Sequence, residues 1–352
     1  MWQKNWEAAV DDFNSVADCG FGLYTKAGAT SYKQLLKIAN EQCEEMIFSV
    51  QCIKQYGYSN TRNITYGNRC TAGSMWNNYL PNPHFVESFE TATGEKFNWD
   101  NYLPGYSTMK EKERVVFFLR DGLSAAEKER MTAYGADMSK YLDSGNEARI
   151  KKAYESRDHV CKWLSFPLRT IQWCFFWNSS YLYIALAYRG SDSAEPFDIR
   201  TDTNDKFYYL WRKFVPEGLE QTERDTYGLD IPLIRYAEVL LLKAEALNEW
   251  GSTHESEAIR CVNEVRRRAG HVELNNATYP ATKVNGQSDL RERIRNEYYW
   301  EIGGEDSMYF HELRWGTWKD KKFDNNRNGL MQMWGETTYT WYWLGDRVLE
   351  LA

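Results

Sequence analysis

Residues 230–270 read DIPLIRYAEVLLLKAEALNEWGSTHESEAIRCVNEVRRRAG, and the rest of the chain has to pack around them. From residue 233 to residue 250, Leu233, Tyr236, Ala237, Leu240, Leu241, Ala244 and Leu247 recur at helical spacing. Gly251 breaks the run. Ser252 with Glu255 has the form of a capping box, and a second predicted helix carries Ala258, Ile259, Val262, Val265 and Ala269 along one side. Gly270 stands where a helix C-cap belongs. Two antiparallel helices joined by a short turn, with Ala at close-approach positions, form a tetratricopeptide-like hairpin. One hairpin cannot bury its own apolar face, so it requires neighbours of the same kind. Arg235, Glu238 and Glu245 fall inside this apolar run. Charges there must find partners or lose hydration uncompensated, which predicts an internal ion network between hairpins.

Outward from this stretch, residues 2–19 and 31–45 predict a second hairpin. Trp2, Trp6, Ala9, Val10, Phe13, Val16 and Ala17 form its first stripe, Gly20 and Gly22 stop it, and Ser31 with Gln34 caps the next helix. The stripe starts at residue 2 with no cap before it, which on this reading implies an amino-terminally shortened chain. Residues 46–52 read as a strand. From residue 53 to about residue 123 the pattern loses its period, as in YGYSNTRNITYGNRCTAGSMWNNYLPNP, and predicts functional loops around a short helix near residues 85–91. Residues 114–119 (RVVFFL) read as a buried strand. Ser124 and Glu127 cap a helix running to Gly145, followed by a shorter one over 148–154. Residues 163–188 predict two strands turning at 178–180, and residues 207–215 one more. A helix follows from Asp289, capped by itself and Glu292, to Ile302, with a last turn or two over 309–315. The resulting class is mainly α: tetratricopeptide-like hairpins with an irregular loop and short-strand region on one side. It is one domain, divided into a hairpin (1–50), an irregular ligand-binding region (51–228), a helical scaffold (229–318) and a tail (319–352).

Composition narrows the function. A net charge of −7 argues against nucleic acid, and the densest basic run, Arg266 to Arg268, ends a helix, where cations meet the negative dipole end. Seven scattered Cys without a C-x-x-C pair imply no disulfide framework, and five His in no ligand spacing imply no transition-metal site. No apolar run reaches the length of a membrane span. No phosphate-binding glycine motif and no nucleophile elbow occurs, so no cofactor is expected. Aromatic residues make up 16% of the chain, and rings on that scale serve both cores and sugar faces.

Two constellations compete for chemistry. Glu297 and Glu301, with Glu305 and Asp306 beyond, offer paired carboxylates of the kind a glycosidase uses. Arg291, Arg293 and Arg295 interleave with them, which reads better as a solvated or ion-paired helix face. The other constellation is in the loops. Trp76, Tyr79, Trp99, Tyr102 and Tyr106 lie in Asn- and Gly-rich sequence with no period, beside Arg69, Asn77 and Asn78. Flat rings with nearby hydrogen-bond donors suit carbohydrate. The competing reading is that these rings pin long loops to the core.

The order of these segments resembles the SusD/RagB family. The resemblance is carried by residues 231–270, by LRERIRNEYYWE (290–301) and by MYFHELRWG (308–316). Upstream, residues 154–158 (YESRD), Arg212-Lys213-Phe214 and residues 83–94 (PHFVESFETATG) also match. Asp306 and Met308 depart from the family pattern, as does the tail. The resemblance implies non-catalytic binding of oligosaccharide or polysaccharide at the outer surface of the outer membrane, and delivery to a SusC-like TonB-dependent transporter. It also implies a lipoprotein anchor, whose signal peptide and lipid-bearing Cys are not present in this sequence. The family's glycan residues vary, so none is carried over by motif. A glycan-active hydrolase and a ligand-free interaction scaffold are the alternatives.

Overall fold

Asn5 starts the first helix: its side-chain oxygen accepts the Ala8 amide at 3.4 Å, and α1 covers Trp6–Asp18. The stripe expected from residue 2 therefore begins a turn later, and with a cap. The computed structural model describes residues 1–67, 75–76, 79, 81, 83–119, 121–157, 165–166, 174–176, 180–182, 210–216, 226–305 and 307–318. The helix expected over 31–45 is only α2, Ser31–Leu35, then a 3-10 turn at Ile38–Asn40. Ser31 is inside the helix, and the cap position, Thr30, makes no side-chain cap bond, its hydroxyl donating back to the Ala27 carbonyl at 2.9 Å. Asn40 takes the Gln34 carbonyl with its side-chain amide at 2.8 Å, a local bond that competes with continuing the helix. No second hairpin forms here; α1 packs elsewhere.

β1 is Met46–Val50, as expected. The irregular region is built of short pieces: α3 (Arg62–Tyr66), α4 (Pro83–Glu87), α5 (Glu111–Arg114), α6 (Ala125–Tyr134) and α7 (Asn146–Glu155), joined by 3-10 turns. The predicted strand RVVFFL is instead a 3-10 turn, Val115–Phe118. The Asn146 side-chain amide serves the Val116 and Leu119 carbonyls at 3.0 and 2.7 Å, replacing a strand partner. A continuous apolar run cannot by itself separate a strand from a buried turn. Ser124 and Glu127 do form their capping box, but Gly135 (φ +107°) ends α6 ten residues before Gly145.

β2 (Ser165–Phe166), β3 (Cys174–Phe176), β4 (Ser180–Leu182) and β5 (Leu210–Trp211) make two small ribbons. β3 pairs with β4 antiparallel, Phe176 opposite Ser180, and β2 with β5. Of the turn expected between β3 and β4, residues 178 and 179 lie outside the described residues. Of the strand expected over 207–215, residues 207–209 lie outside the described residues; from Leu210 on only Leu210–Trp211 are strand, and Phe214 at φ +62° has left extended geometry.

β6, Ile231–Arg235, pairs antiparallel with β1, with Met46 opposite Arg235 and Val50 opposite Ile231. Leu233, assigned from spacing to the helix, lies in this strand and is 40% exposed. Pairing with β1 holds Ile231–Arg235 extended, so the helix starts only at Tyr236. α8 then runs over Tyr236–Trp250 and α9 over Glu255–Ala269. The expected Ser252 capping box does not form: Ser252–His254 is a 3-10 turn, and His254, at the cap position, makes no side-chain cap bond. Gly270 caps α9 at φ +76°, as expected. α10 (Gln287–Ile302) follows Gly286, with no side-chain cap from Asp289, and α11 (Met308–Trp315) ends at Gly316.

α8 is the centre of the scaffold, with α1, α9 and α10 packed around it. Ala237, Leu240, Leu241, Ala244 and Leu247 meet Val262, Val265, Leu290, Ile294 and Tyr298 in one cluster. Each large aliphatic side chain buried this way contributes ~1.5–3 kcal/mol. A second cluster fills the loop layer with Phe89, Trp99, Leu103, Val116, Phe117 and Ile150, and Trp300 of α10 belongs to it. α10 is thus the wall between the layers.

The predicted ion network is present and lies at that wall. Arg235 ends β6, where its Nε donates to Glu305 at 2.7 Å and its Nη1 to Glu301 at 2.9 Å, with Glu45 also in reach. Arg268 donates to Glu45 at 2.6 Å and to Glu301. Lys213 pairs with Glu305 and donates to the Glu301 and Gly303 carbonyls at 3.1 and 3.0 Å. Burial pushes the Lys213 ammonium down to about 8, while Arg235 and Lys213 hold Glu305 below its ordinary range against burial. Glu238 pairs with His311 and Glu245 with Arg314, joining α8 to α11. Of the two readings of the Glu297 and Glu301 face, ion-paired holds and solvated does not: both are 1% exposed, Glu297 pairs with Arg266 and Glu301 with Arg235 and Arg268. Arg291, Arg293 and Arg295 bond instead to Glu249, Asp289 and Glu292. Leu290, Ile294, Glu297 and Glu301 share one helix face, so the glutamates ride the core stripe.

Candidate functional site

The exposed rings of the loop layer are positioned by α3. Its last residue, Tyr66, is followed by Gly67, where a Cβ would lie 2.6 Å from the Asn63 carbonyl oxygen, and Met75 fills the neighbouring space at 1% exposure. The returning chain is pinned through its backbone. The Trp76 amide donates to the Ile64 carbonyl at 2.8 Å and the Tyr79 amide to the Thr65 carbonyl at 3.0 Å. Trp76 is left 57% exposed and Tyr79 60%.

Beneath Tyr79 is a packed aromatic base. Tyr66 meets Tyr79 edge-on at 5.9 Å, stacks on Trp211 at 5.6 Å and approaches Phe214 at 6.2 Å. Its hydroxyl donates to the Gly304 carbonyl at 3.3 Å, and the Arg62 guanidinium covers Phe214 at 4.6 Å. Gly304 (φ +82°) brings the backbone so close that a Cβ there would be 3.3 Å from the Trp211 ring. Tyr79, held edge-on against this base, keeps its orientation, so a ligand stacking on it orders few side chains on binding.

Of the six residues predicted to grip glycan, Trp76 and Tyr79 are exposed, with their amides pinned to neighbouring carbonyls of α3. Trp99 and Tyr106 are corrected to core residues, 6% and 5% exposed. Trp99 donates its indole N–H to Glu87 at 2.9 Å, and its ring contacts Phe97, Tyr106 and Tyr154. Tyr106 is covered by Phe117 and the Arg114 guanidinium, and burial pushes its phenol well above its ordinary value. Tyr102 is half-buried and stacked on Phe97. These three rings pin the loop to the core, the competing reading of the sequence. Arg69, Asn77 and Asn78 lie outside the described residues. Sequence reasoning missed Tyr66 and Trp211 as the base; Phe214 was legible only through the Arg-Lys-Phe match.

A cavity of about 140 Å³ lies between α1, α8 and α9 beside Phe13, Tyr236 and Cys261. That volume is below the ~300 Å³ at which ligand pockets begin. Burial raises the Cys261 thiol to about 11. The paired carboxylates Glu297, Glu301 and Glu305 are sealed in ion pairs and face no open surface. Among the described residues no His, Cys, Asp and Glu gather to hold a metal ion, and no helix is long and apolar enough to cross a membrane.

A tetratricopeptide-like scaffold carrying an irregular, aromatic-faced layer defines the class. The chain belongs to the SusD/RagB family: the SusD family model matches residues 44–347. It is 36% identical over 104 residues to the SusD-like protein P38 of Formosa agariphila, covering 29% of this chain and 20% of that protein. Its fold is similar to that of a SusD-like carbohydrate binding protein from Bacteroides fragilis, at a TM-score of 0.58 and 19% identity over 90% of this chain and 50% of that one. A second SusD-like protein of Bacteroides fragilis matches at 0.57 and 19%, over 90% of this chain and 52% of the other. The chain thus spans about half the length of these structures, and at such identity the likeness is one of fold.

Proposed function

We propose that this protein binds an oligosaccharide or polysaccharide without transforming it, at the outer face of the outer membrane, and presents it to a SusC-like TonB-dependent transporter. The observation that carries the reading is two exposed rings, Trp76 and Tyr79, both pinned by their backbone amides to α3 and the second braced on a packed aromatic base, within a SusD-family fold. A sugar ring offers an apolar face to an indole and hydroxyls to surrounding polar groups, and an open surface suits a polymer better than a closed pocket. That one fold relative is a SusD-like carbohydrate binding protein supports the ligand class. The helical scaffold, rigid through its buried ion network, is the part suited to dock a transporter.

The test is affinity electrophoresis of the purified protein against a polysaccharide panel, followed by calorimetry with Trp76→Ala. Retardation by at least one glycan, lost in the variant, supports the proposal. No retardation by any glycan refutes it, and so does release of reducing ends, which would signify hydrolysis.

A further inference from the structure

The two most exposed large apolar residues among those described are neither of the rings considered so far. Tyr56 is 77% exposed and Tyr58 70%. They flank Gly57 in a turn fixed by its backbone. Residues Lys54–Tyr56 form a 3-10 turn, Gly57 takes φ +81°, and the Tyr58 amide donates to the Ile53 carbonyl at 3.2 Å, closing an antiparallel bridge. A Cβ on Gly57 would meet nothing within 4 Å, so the left-handed backbone, and no crowding, calls for glycine there. The turn holds two rings outward on either side of its apex. Exposed Gln51 and Gln55 stand beside it with amides that both donate and accept.

This turn is tied to the aromatic surface already described. The chain runs from Tyr58 through Asn60, whose amide bonds the Leu229 carbonyl at 2.7 Å, directly into α3. Trp76 and Tyr79 are pinned at the other end of α3. Backbone rise limits the Cα–Cα distance from Tyr58 to Trp76 to about 25 Å. Both pairs therefore stand on one short, braced segment.

We propose that the Tyr56-Gly57-Tyr58 turn is a second carbohydrate subsite, and that the ligand is an extended glycan chain that touches both ring pairs at once. The inference rests on the proposed function. A chain held at one platform meets the other at high effective concentration, so affinity rises with chain length through two modest contacts. A protein partner is the other occupant such rings could serve, given Phe48 and Ile53 exposed nearby. Polar Gln51 and Gln55 around the tyrosines favour sugar.

The experiment uses a disaccharide-to-hexasaccharide series of the glycan that retards the wild type, titrated calorimetrically into wild type, Tyr56→Ala/Tyr58→Ala, Trp76→Ala and Phe48→Ala. The double variant is expected to bind the hexasaccharide roughly tenfold more weakly and the disaccharide within about twofold of wild type. Phe48→Ala is expected to leave both unchanged. Equal affinity of the double variant at every length overturns the second subsite while leaving the Trp76 reading intact, and so does an equal loss in Phe48→Ala. Loss in neither Trp76→Ala nor the double variant overturns both.

Discussion

Replacing Arg235 by alanine tests the frame on which everything else stands. Its guanidinium is 2% exposed and is shared by Glu45, Glu301 and Glu305, themselves 0%, 1% and 4% exposed. With Arg268 and Lys213, three cations face three carboxylates, and the cluster is neutral as a whole. Arg235→Ala leaves one buried negative charge uncompensated and removes the donors of three elements: the residue before β1, the end of α10 and the turn after it. Breaking a buried pair from one side costs about 3–5 kcal/mol, a large part of the ~5–15 kcal/mol that holds a typical domain together. Urea unfolding followed by circular dichroism should show a lower midpoint with an unchanged slope. The double variant Arg235→Met/Glu305→Met restores neutrality and should lose less than Arg235→Ala, a non-additivity that a double-mutant cycle reads directly. A loss below about 1 kcal/mol for Arg235→Ala, or a double variant worse than the single, would refute the claim that charge balance at this wall holds hairpin to loop layer.

Three further outcomes follow from the same structure. Trp76→Ala should change stability by less than about 0.5 kcal/mol while abolishing glycan retardation, whereas Trp99→Ala should cost about 3–5 kcal/mol; chemical denaturation separates the two. Burial pulls the Glu90 carboxyl up, but the His271 hydrogen bond and the Arg266 charge outweigh it and hold it at about 2. A carboxyl lower when folded than unfolded contributes stability above pH ~4.5 that is lost as pH falls toward ~2, here about 3 kcal/mol, and Glu90→Gln should flatten that part of an acid-unfolding profile. Gly304→Ala, at φ +82° against the Trp211 ring, should cost about 1–2 kcal/mol and loosen the base under Tyr79, read as a lower melting temperature and weaker glycan binding together.

Much of the scaffold was legible because helices announce themselves locally. Leu240, Leu241, Ala244 and Leu247 repeat at helical spacing, Gly270 can take a left-handed cap, and Ser124 with Glu127 closes its box within four residues. Boundaries failed where a distant partner decided them. Leu233 went to a strand because β1 lies beside it, and RVVFFL became a turn because Asn146, thirty residues on, serves its carbonyls. The glutamates of α10 could have been read more closely, since they sit on the same stripe as Leu290 and Ile294.

The candidate site divides along the same line. By itself the sequence determined the family pattern, the helical hairpin of α8 and α9, and the concentration of aromatic residues in loops without period. It could not say which rings face water, because a loop ring carries no periodic signature of burial. Tertiary packing decided that Trp99 and Tyr106 turn inward while Trp76 and Tyr79 turn outward, and that Tyr56 and Tyr58 stand clear of the core. Exposure is a property of what else arrives at a surface, and those neighbours come from segments far apart in the chain.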